Sequence, residues 1–105
     1  MVYSEFFWVM LKVLTKQQIE QYHDEGFIAP IRVISEAEAL SIKSQLEEVE
    51  AKFPEEINAE SRNNLHLSFE FLDALAHNPI IVDAMEDLIG PDIALWATVM
   101  FIKEP

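Results

Sequence analysis

The chain has no cysteine among its 105 residues. That excludes a disulfide framework and any thiolate metal site, and it fits a reducing compartment, with the cytoplasm the expected location. Glycine is nearly absent too: only Gly26 and Gly90 occur, and each is expected to end an element. Neither has a second glycine nearby, so a glycine-rich phosphate loop is excluded. Positive charge is scarce, with seven Lys and Arg against 19 Asp and Glu and a net charge of −12. Nucleic-acid binding needs clustered cations to neutralise phosphates, so DNA, RNA and anionic membranes are not expected partners. The acid excess reads as solvated helix faces. Long apolar runs suited to a bilayer are missing as well. The run Phe6 to Leu11 is far short of the ~20 residues a transmembrane helix needs. It also lacks the basic start and small-residue cleavage site of a signal peptide. Residues 1–13 are read as an N-terminal extension, with Met10 a candidate translation start.

Half of the residues are hydrophobic, which argues for a folded chain. Thr15 and Gln18 form a capping box that opens a helix over Lys16 to Glu25, stopped by Gly26. Ile19, Tyr22 and His23 lie on one face of it. Ser35 and Glu38 form a second capping box. The helix behind it carries Ala39, Ile42, Leu46, Val49 and Phe53 as its apolar face, with Pro54 ending it. Residues 54–64, "PEEINAESRNN", have no periodicity and are expected to be a loop. "SFEFLDALAH" reads as a short helix capped by Ser68. Asn78 and Pro79 start another, with Ile81, Met85, Leu88 and Ile89 as its buried face.

Two stretches read as β-structure. "FIAPIRVI" is β-branched and aromatic, with Pro30 confining it to an edge. Ile93 to Ile102 is apolar on both faces, the pattern of a strand covered on both sides. Two strands do not make a buried sheet, so the sheet is expected to be incomplete in this chain.

The residues that could carry chemistry are few. His23 and Glu25 have the i, i+2 spacing of a strand-borne metal pair, but on a helix those positions diverge by about 200° and would not chelate. His23 and His77 are read as residues near helix C-termini, and His66 as a surface residue without an assignable partner. The carboxylate pairs Asp24–Glu25, Glu47–Glu48, Glu55–Glu56 and Glu86–Asp87 fall on polar faces or in a loop, not in a cleft suited to acid–base work. Phe69, Phe71 and Trp96 are read as core. No catalytic residue and no metal ligand is assigned.

Three stretches, "LTKQQIEQYHDEGFIAPIRVISEAEA", "HNPIIVDAMEDLIGPDI" and "FIKEP", occur in an order and spacing that resembles the phytanoyl-CoA dioxygenase family of iron(II)/2-oxoglutarate oxygenases. The resemblance runs from about Leu14 to Pro105. It implies an α+β fold, a double-stranded β-helix of jelly-roll or cupin type with helices outside, whose barrel is incomplete here. Residues 14–105 would then be the N-terminal portion of one oxygenase domain, truncated before the iron-binding motif. The implied cofactors are iron(II) and 2-oxoglutarate, with a small-molecule substrate for the full-length enzyme. The family's His-x-Asp, distal His and 2-oxoglutarate-binding Arg have no counterpart, so this chain alone is expected to bind neither cofactor and to be catalytically incompetent. The resemblance places Val99 near 2-oxoglutarate, with Trp96 and Lys103 beside it. The terminal strand, lacking a partner, is expected to drive self-association. The alternative is a short non-catalytic helical interaction module, or one half of a split oxygenase.

Overall fold

The computed structural model describes residues 5–58 and 63–105. In chain order its elements are α1 (Glu5–Val9), α2 (Lys16–Glu25), α3 (Glu36–Lys52), α4 (Pro54–Asn58), a 3-10 turn (Leu65–Leu67), α5 (Glu70–Ala76) and α6 (Pro79–Ile89). Two units divide the chain. The first takes residues up to Val33 together with Pro79–Ala94, and the second takes Ile34–Asn78 with Leu95–Pro105.

In the first unit, α2 begins and ends as its residue types dictate. The Thr15 hydroxyl accepts from the Gln18 N–H, and the Gln18 side chain accepts from the Thr15 N–H. Two of the N–H groups a helix start leaves without partners are thereby satisfied. Gly26 closes the helix at φ 84°, a left-handed conformation that a side chain would strain. The core holds Leu14, Ile19 and Ala84, with Phe7, Trp8 and Leu88 packed against it. Trp8 also receives the Phe7 ring edge-on and the Lys16 ammonium 5.1 Å above its face. On α6 the buried face differs from the expected one. Ala84 and Asp87 are inside, while Met85 and Ile89 are exposed. The helix is rotated by roughly a quarter turn from the stripe that hydrophobicity alone selects.

The rotation follows from one contact. Asp87 is only 5 % exposed, and its carboxylate accepts the backbone N–H groups of three successive residues. Lys12 donates to both oxygens at 2.9 and 3.2 Å, Val13 donates at 2.8 Å and Leu14 at 2.9 Å. A buried carboxylate is tolerated only when its lone pairs are filled, and these are. The contact fixes the segment entering α2 against α6 and delivers Leu14 to the core. Outside it, the Lys12 ammonium meets Glu86 at 2.8 Å and Asp83 at 3.7 Å. The bond to Glu86 holds the Lys12 pKa above its ordinary value.

In the second unit, α3 opens with the expected capping box. Ser35 accepts from the Glu38 N–H at 3.1 Å, and the Glu38 carboxylate accepts from the Ser35 N–H at 2.7 Å. Ion pairs Lys43–Glu47 and Lys52–Glu48 lie along the exposed side. None of the 17 side chains of α3 is fully buried. This helix packs chiefly on α4, and α5 on the 3-10 turn. Phe53, Phe69 and Phe71 form a chain of ring contacts at 5.9 and 6.4 Å between centroids.

Several expectations are corrected. The α+β jelly-roll fold is not what forms: the described residues hold helices and a single isolated bridge, Asn63 with Val99, and no strand or sheet. "FIAPIRVI" and Ile93–Ile102 have the composition of strands but no ladder to join, and β propensity without a pairing partner does not make a strand. The self-association expected through an unpaired terminal strand therefore loses its basis. Residues 54–58 are helical, because Pro54 suits a first helical turn as well as it ends the previous helix; residues 59–62 lie outside the described residues. The cap position of α5 is Phe69, not Ser68, which completes the 3-10 turn instead.

Replacing Asp87 with Ala should destabilise the protein by about 3 kcal/mol, since the buried Leu14 N–H and the part-buried Lys12 and Val13 N–H groups lose a charged acceptor. Urea unfolding of Asp87→Ala against Asp83→Ala checks this, the second variant touching only an exposed pair and changing little. Glu38 supplies a pH dependence. Bonds first from the Ser35 backbone and then from its side chain lower the Glu38 pKa. A lowered folded pKa contributes stability present above the unfolded carboxylate value and lost as pH falls through the folded one. Helical circular dichroism should therefore decline on acidification at and below the ordinary carboxylate range. Glu38→Gln, which keeps the capping box without a titrating group, should flatten that part of the curve.

Candidate functional site

The second unit carries the surface features that are not consumed by its own packing. The first is a groove of about 360 Å³ lined from two helices. From α3 come Glu38, Ser41, Ile42 and Gln45; from α5 come Phe71, Ala74 and Leu75, with Asn78 two residues past its end. Both sets run i, i+3, i+4, i+7, which is one side of a helix read along two turns. Ile34, just before the α3 cap, closes one end. Ile34, Ile42, Phe71, Ala74 and Leu75 make its lining partly apolar, with Glu38, Ser41, Gln45 and Asn78 as the polar part.

The second feature is the segment Leu95–Ile102. Thr98 anchors it. Asn64 takes a left-handed conformation at φ 61°, which Asn tolerates better than most residues. Its backbone N–H then donates to the Thr98 carbonyl at 2.7 Å, while its side-chain oxygen accepts from the Thr98 N–H at 3.2 Å. His66 adds a contact from Nδ1 to the Thr98 hydroxyl at 2.7 Å. Thr98, Met100 and Ile102 are half-buried, whereas Val99 and Phe101 face outward. Trp96 is 96 % exposed and Phe101 90 % exposed, and Leu67 is exposed as well.

The histidines fall in three settings. His66 has Thr98 as its partner, a contact between residues 32 positions apart that no local pattern announces. His77 caps the end of α5, with Nδ1 2.9 Å from the Asp73 carbonyl and 3.3 Å from its carboxylate. His23 is in the last turn of α2, edge-on to Tyr22. Among the described residues, no group of three or more His, Asp or Glu is placed to hold a metal ion. Val99 sits opposite Asn63 in the isolated bridge, and Lys103 is exposed. Of the aromatic trio read as core, Phe69 and Phe71 pack together and Trp96 does not join them.

No family model, curated protein or solved structure matches this chain. With no match to the phytanoyl-CoA dioxygenase family and no barrel strand among the described residues, membership of that family and the oxygenase reading are both overturned. The three stretches that carry the resemblance are helix starts, a glycine stop and apolar segments, features many helical proteins share. No described helix is long and apolar enough to cross a membrane.

Sequence reasoning missed two residues that matter. Asp87 was assigned to a polar face, although it lies three residues from the buried Ala84, within reach of the same side of α6. Asn64 left no signal beyond its tolerance of the left-handed region. Single-tryptophan variants test the exposure pattern. Acrylamide should quench Trp96 in Trp8→Phe more strongly than Trp8 in Trp96→Phe, because Trp8 is half-buried against Phe7 and Lys16. Equal quenching of the two would contradict the placement of Trp96.

Proposed function

We propose that this chain is a non-catalytic helical interaction module that binds another polypeptide through the apolar surface of its second unit. The observation that carries this is the near-complete exposure of Trp96 and Phe101 on a segment held in place by Thr98. Large aromatic side chains are costly to leave in water and are enriched where interfaces bury them. Here they belong to an anchored segment with defined hydrogen bonds, so the exposed rings start from a restrained arrangement and lose less entropy on binding.

Enzymatic readings find less support. Asp87 has its oxygens occupied by backbone donors, and His66 is engaged by Thr98. Both groups act in holding the chain together, and neither is aimed into the groove.

A photo-crosslinking residue at position 96, with the full chain expressed in its native host, should give a discrete polypeptide adduct. The same residue at Glu20, exposed on α2, should give none. Phe101→Ser should weaken the adduct at position 96. Indiscriminate labelling from both positions, or none from position 96, would refute the proposal.

A further inference from the structure

The groove between α3 and α5 says something more specific about the partner. It is built from two sets of residues with the same i, i+3, i+4, i+7 spacing, the first wholly on α3 and the second on α5 and Asn78 beyond it. A third helix is the shape that fits between two such walls, its side chains entering the grooves between theirs. The α3 wall, from Glu38 to Gln45, is roughly 10 Å long at 1.5 Å per residue, so about two turns of partner helix would cover it. The less exposed apolar lining residues, Ile42, Phe71 and Leu75, ask for apolar anchors on one face of that helix.

Charge determines what the remainder of the partner must be. Between Ile34 and Asn78 there are ten Asp and Glu against three Lys and Arg. Glu38 lines the groove itself, and its cap bonds from Ser35 keep it ionised. Glu36 stands at the start of the same helix, and Glu70 and Asp73 are on α5; none of the three lines the groove, and they act on it only through the charge of the unit. The cations of α3 are engaged by neighbouring carboxylates, Lys43 by Glu47 and Lys52 by Glu48. His77, at the far end of α5, sits against Asp73. The field around the groove is therefore negative. A second copy of this chain, with net charge −12, would be repelled.

We infer that the α3–α5 groove binds a basic amphipathic helix, its apolar anchors against Ile42, Phe71 and Leu75 and its Lys or Arg toward Glu38 and the negative field of the unit. This rests on the interaction-module reading and names the partner's chemistry. Binding of this kind weakens as salt rises, since Glu38 is exposed and its charge is screened.

The test titrates the full chain with three synthetic peptides of equal length, followed by amide chemical shifts. One has Leu at i, i+3, i+4 and i+7 with Lys elsewhere. Its twin carries Glu in place of Lys, and the third is a scramble of the Lys peptide without the stripe. The Lys peptide should bind, shifting residues of α3 and α5, and the other two should bind at least about tenfold more weakly. Ala74→Arg and Ser41→Arg, at exposed positions on opposite walls, should each weaken the Lys peptide by about tenfold or more. Equal binding of the Glu twin overturns the charge argument, and equal binding of the scramble reduces the effect to bulk attraction. Unchanged affinity in both folded Arg variants puts the site elsewhere, and absence of binding by any peptide, or self-association that occludes the groove, also overturns the inference. If the peptides fail while adducts at position 96 persist, the groove inference falls alone and the interaction module stands.

Discussion

The Asp87 carboxylate gathers three consecutive backbone N–H groups, and the arrangement of the first unit depends on that contact. Lys12, Val13 and Leu14 lie before the first residue of α2, where the chain has no ladder or helix of its own to satisfy its donors. A backbone in that state cannot be buried unless a side chain supplies the acceptors. Asp87 supplies them from a residue more than 70 positions away, and it does so from the interior side of α6. Leu14 can then be buried beside Ile19 and Ala84, and Lys12 is left at the surface between Glu86 and Asp83.

The second unit is built on a different balance. Its longest helix, α3, is fixed by local means: a capping box at the start and ion pairs one turn apart along its length. Tertiary burial contributes less, because none of its side chains is fully covered. The apolar stripe is therefore divided between packing on α4 and lining a groove with α5. A helix held mainly by its own caps and pairs can present a face without losing its structure, which is the property an interaction surface requires. The Thr98 anchor does the equivalent for the segment that bears Trp96 and Phe101.

Much of the helical framework was legible from the residues. Thr15–Gln18 and Ser35–Glu38 each specify a reciprocal pair of bonds over three residues, and Gly26 and Gly90 take the left-handed conformation their positions call for. Pro79 begins α6 as expected. The β readings failed for a common cause. An apolar, β-branched stretch such as Ile93–Ile102 states a preference that only a pairing strand can realise, and among the described residues the one bridge it forms is at Val99. The buried face of α6 failed because hydrophobicity ranked Met85 and Ile89 above Asp87, while the deciding factor was where three unsatisfied N–H groups needed an acceptor. Of the candidate site, Ile42 was legible on the apolar face of α3, but the groove it shares with α5 was not, because no local pattern places α5 beside it.

The sequence by itself determined the starts of α2, α3 and α6 and the stop at Gly26, the acidic surface, and the exclusion of disulfide, thiolate and phosphate-loop chemistry. Those follow from interactions within a few residues, or from residue types that are simply absent. Only the tertiary structure decided that Asp87 turns inward, that Asn64 and His66 hold Thr98, that Trp96 stays in water and that α3 and α5 flank a groove. Each of these depends on which distant groups become neighbours, and on whether a buried donor finds an acceptor when they do.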